Sequence, residues 1–268
     1  MAAALTGDGG DRDGAFLIRE LRLPRVLLGL LAGLALGLAG TLLQATFRNP
    51  VADPVLLGIS QAASLVVAVS VLVPGVPPDL ALPLLCLLAR LATGSVLVLL
   101  ARTVRDPVRL ILIGVVLSLL YGTLISVVLL LAQDYARFGS VLRFTTGSIS
   151  SASWGSLGAA WPWLAVAIPL ALVSGRALNL LQLGHDLAAG LGMKVVRAWF
   201  VLLGLAMLLI APVVAVVGPI GFVALLAPHV ARFLLGTSNA HQVLPASAAI
   251  GAVVVLLADA VGRARVLP

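Results

Sequence analysis

A chain of 268 residues with 61% apolar and 10% charged side chains and a mean hydropathy of +1.18 lies far from the balance of a soluble domain. Its formal charge of +7 would suit a nucleic-acid partner if the cations gathered on one face, but they are scattered over the loops, which argues against that reading. The single cysteine, Cys86, leaves no disulfide framework and no cysteine metal site; in its apolar run it reads as a small packing residue.

Residues 1–21 begin rich in Gly and Asp, carry no apolar run ahead of the acidic stretch, and so read as a flexible tail rather than a signal peptide. Arg22-Leu23-Pro24-Arg25 then leads into an uncharged run, Val26 to Phe47, long enough for a bilayer core, which takes about 20 helical residues. Within it Gly29, Gly33 and Gly37 recur every four residues, with Gly40 close behind, a stripe that lets helix backbones approach closely in lipid. Arg48-Asn49-Pro50-Val51-Ala52-Asp53-Pro54 breaks the chain next. Irregular backbone near membrane depth is tolerated where protein buries it or where it lines a watery cavity. A transport pathway is the leading expectation from this stretch.

Further apolar segments are expected at about 58–73, 80–101, 108–132, 157–174, 196–217, 221–235 and 243–261. The fold class is thus an all-α polytopic membrane protein of about eight transmembrane helices. Two of them, 58–73 and 221–235, reach only about 24 and 22 Å, short of a core of about 30 Å. Each follows a broken stretch: Asn49 to Pro54 before the first, Gly218-Pro219-Ile220-Gly221 before the second. Short, interrupted segments at corresponding places in two halves point to inverted repeats, one over about 22–132 and an incomplete one over about 196–268. Counting Lys and Arg in the internal loops gives eight on one side (Arg48, Arg102, Arg105, Arg109, Arg176, Lys194, Arg197, Arg232) against two on the other (Arg137, Arg143), placing the first side in the cytoplasm.

Several motifs stand out against plainer readings. Gly184-His185-Asp186-Leu187-Ala188-Ala189-Gly190-Leu191-Gly192 is a short helix with an acid at its start and glycines to stop it; by itself it is a capped interfacial helix. In the stretch Gly218 to Arg232, Pro228 kinks the helix, while His229 and Arg232 lie i,i+3 near its cytoplasmic end, either as a polar helix-end residue and an interface anchor or with a direct role in gating or in contact with a partner subunit. His185 is no metal ligand, since His229 and His241 offer no ligand spacing with it. Asp259 and Arg263 stand i,i+4 at a helix end and should pair. Arg90 falls inside segment 80–101, where a charge costs about 2.5–3.5 kcal/mol; it faces either a pathway or a neighbouring helix's carbonyls. Trp154, Trp161 and Trp163 read as interfacial anchors. The chain contains no HExxH, no GxSxG, no paired acidic motif and no P-loop, so enzyme chemistry has no support and energy must come from elsewhere.

The stretch Arg22 to Ser60, with Gln44, Arg48-Asn49-Pro50 and Ala52-Asp53-Pro54, resembles the permease subunits of ABC importers for iron-siderophores, haem and vitamin B12. Val51 stands where that family usually has leucine, and Gln61-Ala62 where it prefers small residues including glycine. The loop Gly184 to Gly192, the Gly221-Phe222-Val223 to Arg232 stretch (with Ala224 for a usual glycine), the Gly147-Ser148 to Trp154 loop and the Ala258-Asp259 to Arg263 pattern agree with it. The family has ten spans, and by this resemblance the chain lacks the first and last. The resemblance implies a bacterial multi-pass protein of the cytoplasmic membrane that moves a chelate by alternating access, with no covalent chemistry and no cofactor of its own, ATP being used by a partner ATPase subunit. It implies a second permease copy, in a homodimer or heterodimer, and an extracytoplasmic substrate-binding protein. Asn49, Pro50 and Val51 would form the cytoplasmic gate. Gly184, His185, Asp186, Leu187, Gly190, Leu191 and Gly192 would couple to the ATPase. Arg22, Arg25 and Arg263 would receive the binding protein, with Arg263 less free because Asp259 holds it. The alternative is a non-transporting membrane remnant with a structural role only.

Overall fold

The computed structural model describes residues 16–54, 58–72, 81–103, 107–131, 147–150 and 152–266. Residues 1–15 of the expected tail, Arg105, Arg137, Arg143 and Phe144 to Thr146 lie outside these. The described chain is helical: α1 Leu23–Thr46, α2 Ile59–Leu72, α3 Ala81–Thr103, α4 Pro107–Leu131, α5 Trp154–Val173, α6 Gly175–Gln182, α7 His185–Gly190, α8 Val195–Val217, α9 Val223–Leu235 and α10 Ala240–Val266. A π-type turn, Leu17–Arg22, runs directly into α1, so the tail expected up to residue 21 is already wound from Leu17. The reason is an ordinary one: Leu17 to Arg22 contains neither Gly nor Pro, and Trp154 Nε1 donates to the carbonyl of Arg19 at 3.1 Å, holding the turn from the side. Trp154 thus has a specific partner in addition to an exposed ring.

Among the described residues, five stretches are long and apolar enough to cross a membrane: Leu17–Thr46, Leu112–Leu131, Trp154–Val173, Val195–Val217 and Ala240–Ala264. The remaining three of the expected eight correspond to shorter apolar stretches, Ile59–Ser70, Leu84–Leu97 and Val223–Leu235.

α1 is the axis of the molecule. Nearly every side chain from Leu31 to Phe47 is buried, with α10, α8, α9, α5 and α6 packed around it. Its glycine stripe explains how. A methyl group on Gly33 would collide with the backbone of Gly251 and Ala252, one on Gly37 with the carbonyl of Ser247, and one on Gly40 with the carbonyl of Ala224. Gly251 in turn faces the carbonyl of Gly33. The α1–α10 seam is therefore backbone against backbone, as the small-residue spacing requires. At its lower end Phe47 meets Trp199 of α8 edge to face, centroids 5.7 Å apart at 66°.

The packing between helices recurs. α10 lies on α1 as α3 lies on α8, and α9 lies on α10 as α2 lies on α3. Arg90 sits in the α3–α8 contact, fully buried, its Nη1 donating to the carbonyl of Ala211 at 2.5 Å. Of the two expected surroundings, the neighbouring helix's carbonyls are what it meets. Cys86, one turn earlier, is buried with Sγ 3.7 Å from the carbonyl of Ala63.

Candidate functional site

The expected residues fall at opposite ends of the bundle, and each end has an identifiable local cause.

At the C-terminal end of α1 the helix closes with both bonds of a Schellman motif: Arg48 N donates to Ala45 O at 3.2 Å and Asn49 N to Gln44 O at 3.0 Å. That motif wants a left-handed residue, normally Gly, and Arg48 supplies it at φ +49°. A non-glycine residue in this conformation costs roughly 1–2 kcal/mol. The turn continues through Asn49, whose Oδ1 accepts from Val51 N at 2.9 Å, and Ala52 N bonds back to Asn49 O at 3.2 Å. Pro50 and Val51 are exposed at its tip, while Ala52 and Asp53 are buried beneath.

Gln44, just before the break, ties it to α9. It is buried; its Nε2 donates to the carbonyls of Ala224 and Leu225 at 3.4 and 3.2 Å, and its Oε1 accepts from Nη2 of Arg232. Arg232 therefore belongs to the α1–α9 contact, which none of the expected readings named, while His229 beside it is exposed.

α7 shares this end. Gly184, at φ +110°, has the guanidinium of Arg48 as its nearest neighbour, with Nη1 3.6 Å from where a Cβ would stand. α7 ends in a second Schellman motif, Gly192 N to Ala189 O at 2.9 Å and Met193 N to Ala188 O at 3.0 Å, with Gly192 at φ +83°. Between its caps the helix turns Ala188 inward and leaves Asp186, Leu187, Gly190 and Leu191 exposed. Leu187 and Leu191, one turn apart, are 63% and 64% exposed, an apolar pair offered outward by a rigidly capped turn. The preceding helix, α6, is tied to the start of α10: Asn179 Nδ2 donates to Asn239 Oδ1 at 2.9 Å, and Asn179 Oδ1 accepts from Ala240 N at 2.7 Å.

At the opposite end, Asp259 of α10 accepts from Arg25 of α1 through Nη2 at 2.6 Å and Nε at 2.9 Å, and from Arg263 at 3.0 Å. The pairing expected with Arg263 is present. The tighter partner, however, is Arg25, which sequence spacing did not give because it lies 234 residues away. Arg25 is thus the more restrained of the two, the reverse of the expected order. Arg22 is exposed on the π-type turn.

Beside this clasp opens a cavity of about 790 Å³ lined by Arg25, Ser148, Phe222, Leu226, Asp259 and Arg263 among others. Phe222 lies in the Gly221-Phe222-Val223 stretch already noted, but no conformation or role of its own was legible in the sequence. It caps α9 at φ +65°, a left-handed conformation unusual for a bulky side chain, and is 79% exposed. The break it ends sits at depth: Ala224 touches Gly40, about 15 residues or roughly 22 Å along α1 from Arg25. Among the described residues no cluster of His, Cys, Asp or Glu could hold a metal ion.

Comparison with known proteins agrees with this architecture. The family model described as the FecCD transport family matches residues 1–268. The chain is 36% identical over 261 residues to the Fe(3+)-citrate import system permease protein YfmE of Bacillus subtilis, covering 97% of this chain and 78% of that one. It is 38% identical over 254 residues to the hemin transport system permease protein HmuU of Yersinia pestis, covering 93% and 75%. A solved structure assigned to a metal-chelate type ABC transporter, in an inward-facing conformation, superposes with a TM-score of 0.86 at 29% identity, over 96% of this chain and 82% of that one.

Proposed function

The chain belongs to the FecCD transport family, and from that premise we propose that it is the permease subunit of an ATP-driven importer carrying a ferric siderophore-type chelate, or haem, across the cytoplasmic membrane. The relatives' own roles support the chelate class, since YfmE belongs to an Fe(3+)-citrate import system and HmuU to a hemin transport system. Nothing in these similarities favours a structural remnant.

The observation that carries the reading is the proximity of the Asn49-Pro50-Val51 turn to α7, with Arg48 lying against Gly184. An importer needs its inner gate mechanically connected to the place where a separate ATPase pushes. Here a capped turn offering Leu187 and Leu191 to a partner is one residue contact from the break that ends α1. Gly184 to Gly192 would take the ATPase, Val51 would stand in the cytoplasmic exit of a two-permease assembly, and the halves 22–132 and 196–268 would rock about the path. Arg22, with Arg25 and Arg263 behind it, would meet the acidic lobes of a substrate-binding protein.

The test is uptake by the full chain reconstituted with its ATPase and binding protein, offered labelled ferric citrate, ferric hydroxamate, haem and cobalamin. Wild type should import one of the ferric chelates or haem, and Val51→Trp should stop import while the complex still assembles. Import of cobalamin alone would overturn the substrate class; normal uptake by Val51→Trp would overturn the gate.

A further inference from the structure

The outward strip of α8 carries a groove to which nothing above gives a role. Arg197, Val201, Gly204 and Leu208 follow one another at helical spacing, and with Leu170 of α5 and Ala177 of α6 they line a space of about 610 Å³. Leu208 also lines a second, apolar space of about 210 Å³ with Trp163 and Pro212, so the depression continues up the α5–α8 seam. Its lining is mainly apolar, with Ser174 the one uncharged polar side chain; the charges are Lys194 and Arg197 at one end, both exposed, and neither makes an ion pair among the described residues. That end is the one the loop charges place in the cytoplasm.

We propose that this groove is a binding site for an anionic diacyl phospholipid of the cytoplasmic leaflet. The headgroup phosphate sits between Lys194 and Arg197, and one acyl chain lies along Val201, Gly204 and Leu208. Three observations select this occupant. From Arg197 to Leu208 the helix rises about 16 Å, close to half of a hydrocarbon core of about 30 Å, which is the depth of one leaflet. The floor is open at Gly204, where an added Cβ meets nothing within 4 Å, so the space is available to a flexible chain. The two cations stand at the mouth, at the level of the headgroups, where basic pockets between helices bind anionic lipids. An apolar helix or a second copy would cover the same wall and leave both charges against hydrocarbon.

The experiment is native mass spectrometry of the full chain taken from vesicles of equal phosphatidylglycerol and phosphatidylcholine. Wild type should retain phosphatidylglycerol in preference to phosphatidylcholine. Lys194→Gln with Arg197→Gln should weaken phosphatidylglycerol binding about 25-fold, the effect of removing two surface cations, and abolish the preference. Gly204→Phe, which fills the groove and leaves both cations in place, should lower retention of both lipids. A wild type with no headgroup preference, a charge variant that retains phosphatidylglycerol like wild type, unchanged retention in Gly204→Phe, or a second polypeptide occupying the groove would each overturn the proposal. Helical content by circular dichroism separates loss of the site from loss of the fold.

Discussion

Truncating Asp259 to Ala should loosen the α1–α10 seam at its Arg25 end, and the structure sets how the loss divides. Arg25 makes two close charged contacts, at 2.6 and 2.9 Å, with side-chain exposures of 24% for the arginine and 8% for the carboxylate. Hydrogen bonds to charged groups contribute about 1.5–3 kcal/mol, and an arginine one-quarter exposed belongs in the lower part of that range, about 2 kcal/mol. Arg263, at 42% exposure and one contact of 3.0 Å, falls in the surface range of about 0–1 kcal/mol. Double-mutant cycles on the full chain in detergent, pairing Asp259→Ala with Arg25→Ala and then with Arg263→Ala, isolate the two couplings. The Arg25 coupling should come out near 2 kcal/mol and the Arg263 coupling below about 1 kcal/mol. A larger coupling to Arg263 than to Arg25, or an Arg25 coupling under about 0.5 kcal/mol, would refute the clasp as described.

Gly37→Ala drives a methyl into the carbonyl of Ser247 and should destabilise by about 1–3 kcal/mol as overpacking does, whereas Gly122→Ala, with open space around it, should not; chemical unfolding of the two variants gives the comparison. Replacing Leu187 and Leu191 by Ser should uncouple the assembled importer, leaving docking of the binding protein intact while substrate-stimulated ATP hydrolysis falls; unchanged stimulation would remove α7 from the coupling path. On the proposed docking role, Arg22→Glu, at an exposed site with no role in the clasp, should weaken affinity for a substrate-binding protein with acidic lobes at low salt and do little at high salt. Arg263→Ala should weaken it less; equal affinities for wild type and Arg22→Glu at low salt would leave Arg22 a headgroup anchor.

What the sequence made legible follows from how local each constraint is. The helical segments were readable to within a few residues because long apolar runs between Pro-, Gly- and Arg-containing breaks leave few alternatives. Gly29, Gly33 and Gly37, with Gly40 close behind, announced a close backbone seam because a four-residue spacing of small side chains has few other uses in lipid. It did not say that α10 and α9 fill that seam. The i,i+4 rule delivered Arg263 as a partner of Asp259 and was blind to Arg25, since proximity across 234 residues is a property of the packed bundle. Arg90 was recognised as anomalous, yet only the fold assigns it to the carbonyl of Ala211. Phe222 stood inside a noted motif, yet its left-handed backbone left no trace: aromatic residues avoid that region, so no pattern points to one held there by its surroundings.

The brevity of α2 and α9 bears on how the protein reaches the bilayer. At 14 and 13 residues they span about 21 and 20 Å, less than the hydrocarbon thickness. A segment of that length emerging from the ribosome is a poor candidate for independent partitioning from a translocation channel into lipid. Each is followed closely by a longer helix, α3 of 23 and α10 of 27 residues, against which it packs. Biogenesis should therefore proceed by helical hairpins, with α9 retained until α10 is synthesised and the two released together. In a stepwise insertion assay, nascent chains ending after Leu235 should leave α9 extractable, and chains extended through Val266 should make it resistant.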